Sequence, residues 1–433
     1  MSLTDRLQAE LDAIAAAGLT RRRRVQASPC GRIARVDGRE LINFASNDYL
    51  GLAGEPDLAD AMADGARQWG AGSGASHLVS GHLEPHEKLE AELAAFTGFP
   101  RALTFSTGYL ANLAVTPTLA GRGAAVFADK LNHASLIDAM QLAKANGAQI
   151  RRYPHADMAA LEGQLAESIA ATKLIVSDTV FSMDGDLAPL PQLLQLAERF
   201  DAWLLLDDAH GFGVLGEGGR GALSHFGLPG AGRILLMGTL GKAAGVGGAF
   251  VAGSETAIEY LLQKARAYIF TTAAPPAVAC ALSRSLQRIA DGDASRQRLF
   301  AHIARLRDGA SGLPWRLLPS ATAIQPLIIG DNAAAVALST ALWERGLWVP
   351  AIRPPTVPAG TARLRLSLSA AHTSADIDRL LAALQSCRDK LPLPFAGEGW
   401  GGGEVAHGLQ IDRHSPHPSL PPQAGEGEKS GAR

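Results

Sequence analysis

The chain has 433 residues, 47% of them hydrophobic, and its 40 basic residues nearly balance 42 acidic ones to give a formal net charge of −2. Such a chain can bury a large core and divide into two lobes, while near-neutrality argues against a surface that gathers nucleic-acid phosphates. The 3 scattered cysteines, without a Cys-x-x-Cys pair, favour neither a disulfide framework nor a zinc site and suggest a reducing compartment.

The first predicted element is an amphipathic helix that ends near Gly18. Its apolar residues recur at helical spacing, at Leu3, Leu7, Leu11 and Ile14. Charges among them interrupt the apolar run that a signal peptide needs, and the chain has no apolar stretch of about 20 residues that would mark a membrane helix. The run Arg21–Arg24 suits either a solvated charge cluster or a binding site. We therefore expect residues 1–44 to form an N-terminal arm of a cytoplasmic protein without membrane contact.

Between about residues 45 and 285, apolar runs alternate with helix-like stretches. This alternation predicts a mainly parallel sheet covered by helices, with functional side chains gathered at the carboxyl ends of the strands. The strand-like runs are Arg101–Phe105, Ala124–Phe127, Lys173–Val176, Trp203–Leu206, Ile234–Met237 and Gly248–Val251.

A candidate phosphate site follows the first of these strands. The segment Ser106–Tyr109 leads into the helical run Leu110–Val115, and backbone amides at such a helix start can hold a phosphate. A simple capped turn between strand and helix would have the same sequence.

Two acidic residues, Asp207 and Asp208, follow the run Trp203–Leu206, and His210 lies in the same turn. A carboxylate at a strand end can hold the pyridinium proton of pyridoxal phosphate, which makes the ring an electron sink. The pair of aspartates alone would suit a helix cap or turn equally well. His210 in this position can reach the phenolic oxygen of the same cofactor.

A lone lysine, Lys242, follows the strand-like run Ile234–Met237 among glycines and small residues. Desolvation there lowers the pKa of an amine, and a lysine that forms a Schiff base must be neutral part of the time. Together with Asp207 and His210, Lys242 indicates a pyridoxal-phosphate site.

Two other motif matches are rejected. Gly211–Gly216 fits the G-x-G-x-x-G pattern of dinucleotide-binding proteins, but Glu217–Gly221 follows it instead of an apolar helix, so the pyrophosphate would lack a helix N-terminus. The segment before Lys242 resembles a P-loop, yet Leu236 stands where the first glycine is required and Ala243 where Ser or Thr is required.

The C-terminal part is predicted to form a second domain and a tail. From about residue 286 to 388, helix-like segments surround the strand-like runs Ala323–Ile329 and Arg363–Leu368, which predicts a smaller α+β domain. Residues 389–433 are rich in Gly, Pro and Ser and have too few apolar groups to offset the entropy of ordering, so we expect a disordered tail.

Five stretches resemble the pyridoxal-phosphate-dependent α-oxoamine synthases, a family that condenses an amino acid with an acyl thioester and releases carbon dioxide. They are Ser46–Leu52, Val79–Glu90, Phe181–Leu190, Asp207–Gly216 and Ala351–Thr373. The last is the most specific and resembles the branch that joins L-alanine to a pimeloyl thioester, carried by acyl-carrier protein or coenzyme A, in biotin biosynthesis. The resemblance runs from about residue 5 to 388. It implies an α/β fold-type I transferase and a homodimer, with a seven-stranded, mainly parallel sheet in a large domain, 45–285, and a small α+β domain, 286–388.

The resemblance also implies roles for individual residues, and it implies no metal. The catalytic residues are Lys242, His133, Asp207 and His210. These four contact the cofactor with Gly108, Tyr109, Ser182 and Thr239, and with Thr271 and Thr272 from the second subunit. The substrate residues are Arg21, Asn47, His133, Thr356 and Arg365. A neighbour of Arg21 could replace it, and Arg363 is the rival of Arg365 because both face the same side of a strand. His77 stands where many relatives carry arginine.

Two alternative functions are considered. Another α-oxoamine synthase would join glycine to a short acyl-CoA, and the segment Ile352–Pro358 disfavours it. A non-catalytic partner subunit would need none of the four catalytic residues, and their joint presence argues against it. The sequence leaves the acyl carrier and the acyl chain length open.

Overall fold

A computed structural model describes residues 1–230 and 232–388. The helices are α1 (Leu3–Ala16), α2 (Pro56–Trp69), α3 (Glu84–Thr97), α4 (Gly108–Leu119), α5 (Ala134–Ala145), α6 (Met158–Ala166), α7 (Leu190–Arg199), α8 (Ala222–His225), α9 (Glu255–Lys264), α10 (Arg266–Ile269), α11 (Pro276–Ala290), α12 (Asp293–Gly309), α13 (Asn332–Glu344) and α14 (Ser374–Cys387). The predicted tail, 389–433, lies outside the described residues.

The strands are β1 (Ile33–Val36), β2 (Arg39–Asn43), β3 (Arg101–Phe105), β4 (Ala124–Asp129), β5 (Gln149–Tyr153), β6 (Thr172–Asp178), β7 (Ala202–Asp207), β8 (Ile234–Thr239), β9 (Ala249–Gly253), β10 (Arg316–Leu317), β11 (Ile324–Gly330), β12 (Leu347–Trp348), β13 (Ala351–Ile352) and β14 (Ala362–Ser367).

The largest sheet has seven strands in the order β3-β9-β8-β7-β6-β4-β5. Only β9 is antiparallel to its neighbours, β3 and β8, while the pairs from β8 to β5 are parallel. The mainly parallel sheet predicted from the sequence is therefore confirmed. The six predicted strands are present, and β5 is an addition whose segment Gln149–Tyr153 carries two arginines and is half-exposed.

Both faces of this sheet are buried, which explains why its central strands are continuously apolar. In β7, Leu204 and Leu206 pack into one apolar cluster, whereas Leu205 packs into a second one on the opposite face. Because successive side chains of a strand point to opposite faces, a slip of one residue would exchange these environments throughout the strand. This packing fixes the register of the central strands and therefore where β7 and β8 end. The ends of these strands in turn fix the positions of the loops that follow.

Two smaller sheets complete the described fold. One has the order β1-β2-β12 and the other β10-β11-β14-β13. In the second, β14 pairs antiparallel with both β11 and β13. The strands predicted in the C-terminal region correspond to β11 and β14. The boundaries 1–44, 45–285 and 286–388 remain predictions, and α11 continues across the last of them.

The opening helix is present, but none of its residues is buried. The apolar stripe that begins at Leu3 and ends at Ile14 is exposed along its length. None of the described helices combines the length and the apolar character needed to cross a membrane.

The glycine-rich run after β7 wraps around a buried carboxylate. Asp208 accepts hydrogen bonds from Thr179 Oγ1 and from the Ala222 amide. A Cβ atom at Gly211 would lie 2.2 Å from one carboxylate oxygen, and one at Gly221 would lie 2.0 Å from the other. The glycines are therefore required by the close approach of the loop to Asp208. The helix that a dinucleotide site would need after Gly216 is replaced by a single turn, as the sequence predicts.

Candidate active site

A cavity of about 160 Å³ opens at the carboxyl ends of β6, β7 and β8. The structure brings seven of the predicted cofactor residues to its wall. They are Gly108, Tyr109, His133, Asp207, His210, Thr239 and Lys242. Asp178 and Ser135, which were not predicted from the sequence, line the same cavity.

Lys242 lies in the turn that follows β8, with its Nζ 2.9 Å from His210 Nε2. Burial lowers the pKa of the ammonium group to about 8, and the charges of Asp207 and Asp178 oppose this shift. The lowered pKa enlarges the share of neutral, nucleophilic amine at neutral pH compared with an ordinary lysine.

Asp207 ends β7 and is held by two donors. Asn112 Nδ2 donates to Asp207 Oδ2 at 2.8 Å, and the Ala209 amide donates to Oδ1 at 3.1 Å. Asn112 lies in α4 and also donates to Ser135 Oγ at 2.9 Å. These bonds fix the carboxylate at the cavity wall, where it can bind the protonated nitrogen of an aromatic ring.

His210 continues into a hydrogen-bonded chain that the sequence did not predict. Tyr49 OH donates to Asn47 Oδ1 at 3.1 Å, so His210 Nδ1 donates to the Tyr49 oxygen at 2.6 Å. Burial lowers the pKa of His210 well below its usual value. The imidazole is therefore neutral, with its proton on Nδ1 and the lone pair of Nε2 directed towards Lys242.

His133 caps α5 with its ring. The Ser135 amide donates to His133 Nδ1 at 3.2 Å, which leaves the ring proton on Nε2. The backbone amide of His133 donates to Asp178 Oδ2 at 2.7 Å. Burial lowers the pKa of the imidazole, while burial and the charge of Asp207 raise the pKa of Asp178 well above its usual value.

The two rival arginines of β14 have different partners. Arg363 Nη1 forms an ion pair with Asp184 at 2.6 Å. Arg365 donates to Asn47 Oδ1 at 3.0 Å and to the Ser182 carbonyl at 2.7 Å. Within residues 1–230 and 232–388, Arg365 forms no ion pair, although it is only 6% exposed. A buried guanidinium without a counter-ion suits a substrate carboxylate.

The remaining predicted residues lie outside the cavity. Ser182 contributes its carbonyl to Arg365. Thr271 and Thr272 line a separate small cavity beside Ser106. Arg21 and Thr356 are exposed. Their segments lie close together, since Arg353 Nη1 donates to the Gly18 carbonyl at 2.5 Å.

The donor set of the cavity fits pyridoxal phosphate. At the start of α4, Thr107 Oγ1 accepts from the Leu110 amide, and the amides of Gly108 and Tyr109 have no acceptor within the part of the chain described. They are free for a phosphate. The Asp207 carboxylate can bind the ring nitrogen of the cofactor, and the Lys242 amine, with its lowered pKa, can react with the cofactor's aldehyde.

Comparison with known proteins places the chain in a family. The family model described as aminotransferase class I and II matches residues 39–384. The chain is 76% identical over 383 residues to the 8-amino-7-oxononanoate synthase of Dechloromonas aromatica, covering 88% of this chain and 99% of that one. It is 63% identical to the enzyme of the same name from Herminiimonas arsenicoxydans over 390 residues, covering 89% and 100% of the two chains.

The fold of this chain also superposes on solved structures of related enzymes. Serine palmitoyltransferase from S. paucimobilis, solved with PLP and myriocin bound, superposes with a TM-score of 0.84 at 32% identity, covering 90% of this chain and 99% of that one. The 8-amino-7-oxononanoate synthase from Francisella tularensis superposes with a TM-score of 0.69 at 32% identity, covering 80% and 97%.

Proposed function

Because the chain belongs to the aminotransferase class I and II family, and within it to the 8-amino-7-oxononanoate synthases, we propose that it catalyses the decarboxylative condensation of L-alanine with a pimeloyl thioester. The product is 8-amino-7-oxononanoate, a precursor of biotin. The observation that carries this proposal is the 76% identity that extends over 99% of a relative of that name.

The cofactor of the enzyme is pyridoxal phosphate, which when bound supplies an electron sink for carbanion chemistry. Lys242 would hold its aldehyde carbon and Asp207 its ring nitrogen. The amides of Gly108 and Tyr109 and the Thr239 hydroxyl would hold its phosphate. His133 would stack on the ring, and His210 and Ser182 would lie near the phenolic oxygen.

The amino acid is oriented by its carboxylate. The unpaired guanidinium of Arg365, with Asn47 beside it, supports a bidentate contact to that group. His133 presents its Nε2 proton to the same carboxylate. The amine of Lys242 would take the proton from the alanine Cα, and His210 Nε2, 2.9 Å away, would orient this amine by accepting its hydrogen bond.

The acyl substrate enters along the arm. Arg21 and Thr356 would contact it, and their segments are joined by the bond from Arg353 to Gly18. The alanine Cα would bond to the acyl carbonyl carbon as the thiol leaves. The resulting β-keto acid would lose carbon dioxide because the adjacent ketone accepts the electron pair, and a proton would then replace the carboxylate on Cα. Either acyl-carrier protein or coenzyme A is compatible with this scheme.

The working form is a cytoplasmic homodimer in this proposal. Thr271 and Thr272 lie outside the cofactor cavity of their own chain. This position is compatible with their hydroxyls binding the phosphate of the cofactor in the second subunit. The free thiols of Cys30, Cys280 and Cys387 suit a reducing compartment.

Complementation tests the proposal in a bacterium that requires biotin because it lacks its own 8-amino-7-oxononanoate synthase. Expression of the chain should restore growth without biotin, and the Lys242→Ala variant, produced at the same level, should not. Failure of the wild-type chain to restore growth would contradict the pathway assignment, and growth with Lys242→Ala would contradict the role of the lysine.

A further inference from the structure

A second group of metal-ligating side chains lies apart from the cofactor cavity. It borders a cavity of about 590 Å³ whose wall includes His82, Glu87 and Glu90. None of these residues lines the cavity at the strand ends. Each offers one ligand atom, and the three atoms lie within 4.8 Å of one another.

Local structure places the three groups together. His82 directly follows a π-helical turn at His77–Gly81, and Glu87 and Glu90 lie three residues apart on α3, hence on one face of the helix. His82 Nε2 is 3.0 Å from Glu87 Oε2. Ligands at about 2.1 Å from a tetrahedral cation lie about 3.4 Å from one another. A bound ion would therefore require the widest separation, at most 4.8 Å, to shrink by no more than about 1.4 Å.

Glu90 is a buried carboxylate with one free oxygen. The side chain is 8% exposed, and its Oε1 accepts from the Thr104 amide and hydroxyl at 2.7 Å. Its Oε2 has no hydrogen bond or ion pair within the described ranges. The arginine on the same cavity wall, Arg101, is already paired with Glu255 and Glu259. The free oxygen of this largely buried side chain thus faces the cavity beside the His82 imidazole.

The neighbouring histidines have other roles. Both ring nitrogens of His86 are used, because Nδ1 accepts from the Leu83 amide and Nε2 donates to the Ala274 carbonyl. His77 Nδ1 is 2.8 Å from His82 Nδ1, and its ring stacks on Tyr268 at 5.0 Å. A histidine that binds a metal usually bonds through its other nitrogen to a neighbour that fixes the ring, and His77 supplies that bond.

We propose that His82 Nε2, Glu87 and Glu90 bind a first-row divalent transition cation such as Zn²⁺. One imidazole and two carboxylates suit such an ion better than Mg²⁺, which favours an all-oxygen shell. The cation joins the turn at His77–Gly81 to α3 and neutralises Glu90. It is separate from the condensation chemistry, so this site and the proposed function can fail independently.

Calorimetric titration of the full, cofactor-loaded chain with ZnCl₂ tests the site. The chain holds further histidines, so the difference between variants is the readout. The wild type should show one high-affinity equivalent more than His82→Ala, and Glu87→Gln should weaken that equivalent by at least about tenfold. Glu87 is 78% exposed, so its substitution leaves folding intact. Replacing Zn²⁺ by Mg²⁺ should remove the difference between the wild type and His82→Ala.

Matched controls separate ligation from general effects. Glu84→Gln changes the same charge on the exposed face of α3, and His225→Ala removes an exposed histidine elsewhere; both should bind as the wild type does. Equal binding by the wild type and His82→Ala would overturn the proposal. A loss in Glu84→Gln as large as in Glu87→Gln would also overturn it, as would a loss in His77→Ala with none in Glu87→Gln.

Discussion

At Lys242, burial lowers the pKa of the amine to about 8 despite the nearby charge of Asp207. An ammonium group whose pKa is lowered becomes neutral as the pH rises through that value, and only the neutral amine attacks an aldehyde. The chemistry at this residue should therefore depend on pH in a defined direction.

The rate at which cofactor-free protein takes up pyridoxal phosphate should rise with pH and level off above about 8. Stopped-flow absorbance between pH 6 and 10 measures this rate. A rate that keeps rising towards pH 10 would show an amine of ordinary pKa. The exposed Lys264 serves as a control, because Lys264→Ala should leave the profile unchanged.

Arg365 and Arg363 should respond differently to substitution. Arg365→Ala should raise KM for L-alanine by roughly 10- to 100-fold, since a hydrogen bond to a charged group contributes about 1.5–3 kcal/mol. Arg363→Ala breaks the ion pair with Asp184 and should act mainly on the free energy of unfolding. Steady-state kinetics and denaturant unfolding of both variants test this, and a large rise in KM for Arg363→Ala alone would reverse the assignment.

Tyr49 should act as a positioning residue for His210. The Tyr49→Phe substitution removes the acceptor that holds the Nδ1 proton, so we expect kcat to fall about tenfold and its pH profile to shift, with little change in KM for L-alanine. The half-exposed Tyr260 provides the control substitution. An unchanged kcat and pH profile for Tyr49→Phe would show that the hydrogen bond between Tyr49 and His210 has no role in the mechanism.

Among the structural elements, the loop after β7 depends on the close approach of Gly211 to Asp208. Gly211→Ala would place a Cβ atom 2.2 Å from the carboxylate, and we expect the free energy of unfolding to fall by about 1–3 kcal/mol. Gly163→Ala in α6 meets no atom within 4 Å and should be neutral or slightly stabilising. Denaturant unfolding measures both, and equal stability of the two variants would contradict the packing argument.

Prediction from the sequence succeeded for elements with a strong apolar pattern and failed where the pattern is weak. Strand β5 was missed because Gln149–Tyr153 is polar and lies at the sheet edge. Asn112 was also missed, since its contact with Asp207 joins residues far apart in the chain. Asp178 was within reach, because it lies two residues after the predicted strand Lys173–Val176 and carboxyl ends of parallel strands carry functional groups.

The motif-bearing part of the site was predictable for a related reason. Lys242, Asp207 and His210 each follow a strand that the sequence marks clearly, and the structure brings them to one cavity. Tyr49 lies inside a stretch that carries the family resemblance, but only the fold shows that its hydroxyl reaches His210.

At the scale of the whole molecule, the proposed dimer requires each subunit to complete the site of the other. A Lys242→Ala subunit retains Thr271 and Thr272, whereas a subunit with both threonines changed to Ala retains Lys242. Mixed dimers should regain activity in one of their two sites, which an assay after unfolding and refolding the mixture measures. Failure to regain activity would mean that the threonines act within their own chain or not at all.

The central claim is that this chain joins L-alanine to a pimeloyl thioester. The most direct test is mass spectrometry of the products formed by the cofactor-loaded protein from L-alanine or glycine with pimeloyl, succinyl and acetyl thioesters in competition. We predict that 8-amino-7-oxononanoate forms far faster than any other product. Preferred formation of a product from glycine and a short acyl thioester would contradict the claim.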